Sequence, residues 1–218
     1  MASFSGGEDD DLLKEHEEVV TGGELLVLLE ETWHNEKVSP DLLPTRIDLV
    51  ESMLEQLQLQ DDVIQKCAQG DIKITLLQLE VERIRFLIAS YLRARVHKIE
   101  QHPLYLLDRQ AKLGENDDPL LSPEEVTYAK QFADNMAELM QSLVLRHMPL
   151  EAAKQLDTEK AAIAPNTNSY VFLKAAEDVM GVVIDEEEDP VDLLKGTQHL
   201  LPYRAVEALV KSGSVVLL

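Results

Sequence analysis

Arg83, Arg85, Arg93, Arg95 and Lys98 crowd one stretch of a chain whose Asp and Glu number 41 against 20 Lys and Arg. Guanidinium groups are planar forks that grip carboxylates or phosphates through paired donors. Three acceptors compete for them: carboxylates of this chain, carboxylates of a partner, and nucleic-acid phosphates. The net charge of −21 argues against the last, because phosphate contacts supply most non-specific affinity for duplex DNA. Glu80–Arg83 and Glu82–Arg85 have i, i+3 spacing, but exposed pairs of that kind add only about 0.2–0.5 kcal/mol each. Arginines bordering an apolar helix suit a subunit interface, where Arg is enriched. Arg85, Arg93, Arg95 and Lys98 are therefore assigned to a core or partner-facing surface.

No catalytic constellation accompanies them. His16, His34, His97, His102, His147 and His199 are scattered, and no pair has the i, i+4 spacing of a helical zinc site. There is no phosphate-binding glycine loop, no G-x-G-x-x-G and no G-x-S-x-G. The lone Cys67 excludes an intramolecular disulfide and a cysteine zinc site, and suits a reducing compartment. The carboxylates read as a solvated acidic face. The expectation is a protein that is not an enzyme, with no catalytic residue, no cofactor and no metal. The first residues lack the basic and apolar regions of a signal peptide, and no apolar run reaches the roughly 18–20 residues of a membrane span.

One further segment has binding chemistry. Asp10, Asp11, Leu12 and Leu13 set two leucines among carboxylates. They read either as part of a disordered, solvating acidic tail over residues 1–20 or as a short motif that folds into an apolar groove on a partner.

The elements that must position these residues follow from periodicity. Residues 76–100, LLQLEVERIRFLIASYLRARVHKIE, contain no Gly or Pro. Leu77, Val81, Ile84, Ile88, Tyr91 or Leu92, Val96 and Ile99 recur in steps of three and four, which defines one helix face. A second row, Leu76, Leu79, Phe86 and Leu87, widens the stripe until the helix needs burial on two sides. Trp33, the only tryptophan, shares a face with Leu25, Leu26 and Leu29 on an earlier helix and reads as core or interface. Thr21-Gly22-Gly23-Glu24 and Ser122-Pro123-Glu124-Glu125 read as capping boxes. Ser39-Pro40 reads as a third helix start, with that helix running towards Gly70 and a break near Pro44. Residues 102–121 read as a polar connection with a mobile tip at 114–118, and Pro149 ends the last long helix.

Composition then shifts. Residues 151–168 read as a linker. Residues 170–174, 179–184 and 215–218 are β-branched or aromatic enough for strands, with an acidic turn over 186–190 and a short helix from Tyr203 to Lys211. The fold class is mainly α: a multi-helix domain over 21–150 and a small β-rich domain over 169–218. A unit of about 50 residues buries only about 60% of its unfolded surface, so this domain is expected to lean on another surface. Tyr203, Val216, Leu217 and Leu218 are assigned to its core or interface, with the last three completing a sheet.

The patterns E-x-E-R-I-R-[aromatic] at 80–86 and S-Y-L-R-x-R-[apolar]-x-K-I-E at 90–100 resemble the signature helix of the Sld-five family of GINS subunits. Trp33-His34-Asn35-Glu36-Lys37 resembles that family's helix end, and Pro40-Asp41-Leu42-Leu43 the start of its next helix. Arg146-His147-Met148-Pro149 is similar to the close of its last long helix. Ser169-Tyr170-Val171-Phe172-Leu173 and Gly196-Thr197-Gln198-His199-Leu200 are similar to strands of its small domain. The resemblance covers residues 24–218.

It implies a nuclear, non-catalytic subunit of a heterotetramer with three related GINS subunits. That assembly joins the minichromosome maintenance motor and the Cdc-forty-five protein in the replicative helicase, required for initiation and elongation of DNA replication. It implies that Asn35 and Glu36 fix the packing of the helical domain. It also implies that the acidic-leucine motif docks a trimeric replisome adaptor. The alternative from another class is an autonomous α-helical scaffold that self-associates through the same helices.

Overall fold

A computed structural model describes residues 21–66, 72–114, 118–148, 163–184 and 190–218. The acidic-leucine motif at Asp10–Leu13, Cys67, the break at Gly70-Asp71, Pro149, and most of the expected linker and of the 186–190 turn lie outside them. Six α-helices and five strands follow in order among the described residues: α1 (Gly22–Val38), α2 (Ile47–Lys66), α3 (Ile72–Gln101), α4 (Pro103–Lys112), α5 (Pro123–Leu143), β1 (Tyr170–Ala175), β2 (Val179–Val182), β3 (Val191–Leu193), β4 (Gln198–Pro202), α6 (Tyr203–Ser212) and β5 (Val215–Leu217).

Both capping boxes form. Thr21 and Ser122 each accept from the N3 backbone, and Glu24 and Glu125 each reach back to the cap. α1, α2 and α3 then pack Leu25, Leu29, Met53, Leu57, Val81, Ile84, Leu87, Ile88 and Tyr91 into one core. Lower down α3, Ile99 joins Leu42, Leu106, Leu120, Leu121 and Ala129 in a second cluster with α4 and α5.

Three expectations are corrected here. Residues 39–46 contain no helix. Ser39 ends α1 rather than starting α2, and its hydroxyl donates to the Asp41 carbonyl at 2.6 Å. The reason is tertiary: Leu42 enters the α3–α4–α5 cluster while Leu43 enters the core of the small domain. Adjacent side chains sent to opposite sides require extended backbone. The second correction is α4, which occupies much of the expected polar connection, with Pro103 at its first turn and Leu106 buried. A third is minor: α5 stops at Leu143, and a single 3-10 turn, Leu145–His147, follows it.

In the small domain β1 is central in an antiparallel sheet of order β4-β1-β5. Its strict alternation puts Val171, Leu173 and Ala175 inside and Tyr170, Phe172 and Lys174 outside. α6 covers the inner face with Tyr203, Val206 and Val210. Gly213, at φ +79°, lets α6 turn straight into β5, a left-handed backbone that side chains resist. β2 and β3 form a separate two-stranded ladder. Sequence periodicity had not separated β3, and β4 stands out only through the Gly196–Leu200 resemblance. No helix among the described residues is long and apolar enough to cross a membrane.

Candidate interaction surface

Arg95 is fully buried at 0% exposure, and every one of its N–H donors is used. Nε and Nη2 fork onto the Glu125 carboxylate at 2.7 and 2.9 Å. Nη1 donates to the Glu36 carboxylate at 3.3 Å and the Leu43 carbonyl at 2.9 Å. Nη2 also donates to the Leu120 carbonyl at 2.8 Å. The guanidinium lies over the Tyr91 ring, 5.7 Å from its centroid. Burial works against the charge, but the hydrogen bond to Glu125 and the fields of Tyr91 and Glu36 outweigh it and raise the pKa above the usual arginine value. Glu125 thus has two tasks, since the same carboxylate caps α5 through the Ser122 N–H at 2.9 Å.

Lys98 completes the cluster. Its ammonium donates to the Glu36 carboxylate at 2.6 Å and to the carbonyls of Glu36 and Asp41. Burial draws its pKa below the lysine range against the opposing pull of Glu36. Of the three acceptors weighed for the basic helix, Arg95 and Lys98 therefore use the first, carboxylates and carbonyls of this chain. Arg85 bridges Asp61 on α2 and Glu82 at 2.8 and 3.0 Å, half exposed. Arg83 pairs with Glu30 on α1. Arg93 is exposed and makes no ion pair among the described residues. Ile84, Ile88, Tyr91 and Ile99 are all buried.

The end of α1 reaches in three directions. Trp33 Nε1 donates to the Ser90 hydroxyl at 2.9 Å, tying α1 to α3. Glu36 holds Arg95 and Lys98. Asn35 turns away from the helical core: its side-chain oxygen accepts the Leu217 N–H at 2.8 Å, on the outer edge of β5. The packing role expected of both residues is thus divided, with Glu36 facing the helices and Asn35 the sheet.

Around that contact the small domain rests on the helices. Leu43 and Val38 reach into its core. Arg109 on α4 lies between the buried Asp41 carboxylate and Glu207 on α6, the latter at 3.0 Å, and Lys211 also holds Glu207 at 2.6 Å. Burial pushes the Glu207 carboxyl up, but Lys211 and then Arg109 prevail and hold it below its usual range. Tyr203 is buried at the same seam, and no protein group among the described residues makes a well-formed hydrogen bond to its hydroxyl. Burial raises that phenol above the usual tyrosine range, with Ser39 opposing. A cleft of about 540 Å³ opens beside the seam, between α1, α4 and the end of α6.

Several large apolar side chains also remain bare. The second row of α3 is uncovered at Leu76, Leu79 and Phe86, the last 59% exposed, and only Leu87 is buried. Phe86 and Trp33 flank a shallow groove that continues onto Val216, Leu217 and Leu218. Met136, Leu139, Met140 and Leu143 are exposed at helical spacing on α5. On the outer sheet face Tyr170 is 69% and Phe172 60% exposed, with Leu200 beside Phe172 in register. Exposed apolar side chains gathered on one face are a feature of protein-binding surfaces. Among the described residues no cluster of His, Cys, Asp or Glu is placed to hold a metal.

Comparison with known proteins bears on what such a surface meets. Residues 41–144 match the GINS complex protein helical bundle domain, and residues 165–218 match the DNA replication complex GINS protein SLD5 C-terminus. The chain is 39% identical over 200 residues to the DNA replication complex GINS protein SLD5 of Xenopus laevis, covering 89% of this chain and 90% of that protein. It is 36% identical over 200 residues to the protein of that name from Homo sapiens, covering 89% of each. The Arabidopsis thaliana relative is 27% identical over 202 residues, covering 88% of this chain and 90% of its own length.

Proposed function

The chain belongs to the SLD5 family of DNA replication GINS proteins, and on that footing we propose that it is a non-catalytic, structural subunit of a nuclear GINS heterotetramer. Its partners are the three other GINS subunits. Through the assembly it contributes to the replicative helicase as a clamp and platform beside the Cdc-forty-five protein and the minichromosome maintenance motor, to which ATP hydrolysis belongs. The observation that carries this reading is the uncovered second row of α3, Leu76, Leu79 and Phe86. The inner face of that helix is already filled, and no group among the described residues covers these three side chains.

The proposed division of the chain is a helical domain over 21–150, a connection over 151–168 and a small domain over 169–218. Co-expression with the three other subunits tests the assembly: light scattering should give one copy of each. A stable homo-oligomer that excludes them would overturn the proposal in favour of a self-associating scaffold. The tail motif is tested separately. Leu12→Ala with Leu13→Ala should leave the tetramer intact and abolish binding to a trimeric replisome adaptor, measured by co-purification. Unchanged binding returns the segment to a solvating tail.

A further inference from the structure

Val38 and Leu43 from the helical side are built into the core of the small domain, and Asn35 holds the outer edge of β5. One part cannot turn on the other without opening that core. Bare side chains on the two parts therefore keep fixed places relative to each other. Val216 and Leu218 line the groove that also holds Phe86 and Trp33. Both residues belong to the outer sheet face as well. Val216 lies opposite Lys174 on β1, and the Leu218 N–H donates to the Phe172 carbonyl at 2.9 Å. Phe172 in turn lies opposite Leu200 on β4. The composition of this face sets it apart from the rest of the chain. Its outward positions are 170, 172 and 174 on β1, 198, 200 and 202 on β4, and 216 and 218 at the β5 side. None is Asp or Glu, although the chain has 41 of them. The one charged side chain there is Lys174, exposed and without an ion pair among the described residues.

We infer that the α3 row at Phe86 and the outer sheet face at Phe172 are one continuous docking surface, covered by a single partner subunit that sets an Asp or Glu against Lys174. This rests on the reading of the chain as a GINS subunit and adds how one partner seats on it. A chain packed into the groove against Phe86 meets Val216 and Leu218, and so already lies over the edge of the sheet. Two separate partners would have to divide those two side chains between them. Covering Lys174 without a counter-charge would strand an ammonium away from water, which fixes the chemistry opposite it. The absence of carboxylates from the rest of the face removes the repulsion that an acidic partner would meet elsewhere on this chain. On the groove side Arg83 already holds Glu30, and Glu31 is the remaining carboxylate.

The test uses the full chain in its co-purified complex, with the photoreactive residue benzoylphenylalanine placed at Phe86 or at Phe172, one position at a time. Both side chains are exposed, and Leu200 serves as a second position on the sheet face should the Phe172 variant fold poorly. After irradiation, mass spectrometry should find the same one of the three other subunits captured from both parts. Capture of different subunits, or capture from only one part, overturns the shared surface and leaves the GINS reading standing. Failure of the unaltered chain to enter a tetramer, seen by co-purification before irradiation, overturns that reading and the surface with it. The charge is tested separately. Lys174→Glu should abolish capture from the sheet face with helicity unchanged, whereas Lys174→Met, which strands no charge, should retain it. Capture undiminished in Lys174→Glu overturns the assignment of a carboxylate opposite Lys174.

Discussion

Arg93 and Arg95 stand two residues apart on α3, and the contrast between them shows what a sequence withholds at the level of single side chains. Arg93 is exposed and Arg95 has no solvent contact. Both look alike in the sequence, because the partners that make Arg95 internal, Glu36 and Glu125, come from distant helices. Removing one member of a buried ion pair strands the others and costs about 3–5 kcal/mol, whereas an exposed substitution stays within about 0.5 kcal/mol. Arg95→Ala should therefore lower the thermal midpoint by many degrees and Arg93→Ala should barely move it, as read by circular dichroism. Equal effects would place Arg95 at the surface. The same reasoning explains why Asn35 and Glu36, adjacent and both polar, could not be told apart from spacing: one faces the helices and the other the edge of β5.

The elements were legible wherever local chemistry decides them. α3 followed from its unbroken three-and-four rhythm, and α1 and α5 from capping boxes that satisfy otherwise unpaired N–H groups. α4 was missed because ten residues give a short apolar rhythm and its polar flanks suggested a loop. The segment 39–46 was misread because Ser-Pro is a good local start, yet two leucines bound for different cores overrule it. β3 is only three residues long, too short for alternation to register. The two apolar rows of α3 give an expectation at this scale. Ile84→Asp or Ile88→Asp buries an unpaired carboxylate at a cost of several kcal/mol, so the soluble helical domain should be lost. Phe86→Asp falls on the bare row and should leave helicity and thermal midpoint near normal while abolishing the tetramer in co-purification. Normal assembly of Phe86→Asp would mean that row meets no subunit.

For the molecule as a whole, the seam between the helices and the sheet governs two further expectations. Glu207 is held below the usual carboxyl value of 4.5, so folding favours its charged form. Its contribution is complete above about pH 4.5 and is lost as the pH falls through its depressed value. The difference in thermal midpoint between the unaltered chain and Glu207→Gln should accordingly be constant near neutrality and vanish on acidification. A gap that persists at the lowest pH would show that Glu207 acts by shape rather than charge. Truncation after Ser214 removes Val215 and Leu217, both fully buried, and the edge that Asn35 holds. Circular dichroism should then report near-normal helicity, and co-purification a failure to assemble completely. The expected sheet-completing role of the last residues was readable from their apolar run, but their seat against α1 was not, because it depends on a contact between the two ends of the described chain. The neighbours Leu42 and Leu43, each entering a different core, carry a consequence of another kind. Extended backbone alternates sides with every residue, so one residue inserted or deleted between them would turn one leucine out of its core whatever its identity. The segment therefore tolerates exchange of one apolar side chain for another far better than any change in length, and relatives should keep its residue count even where they have changed its letters.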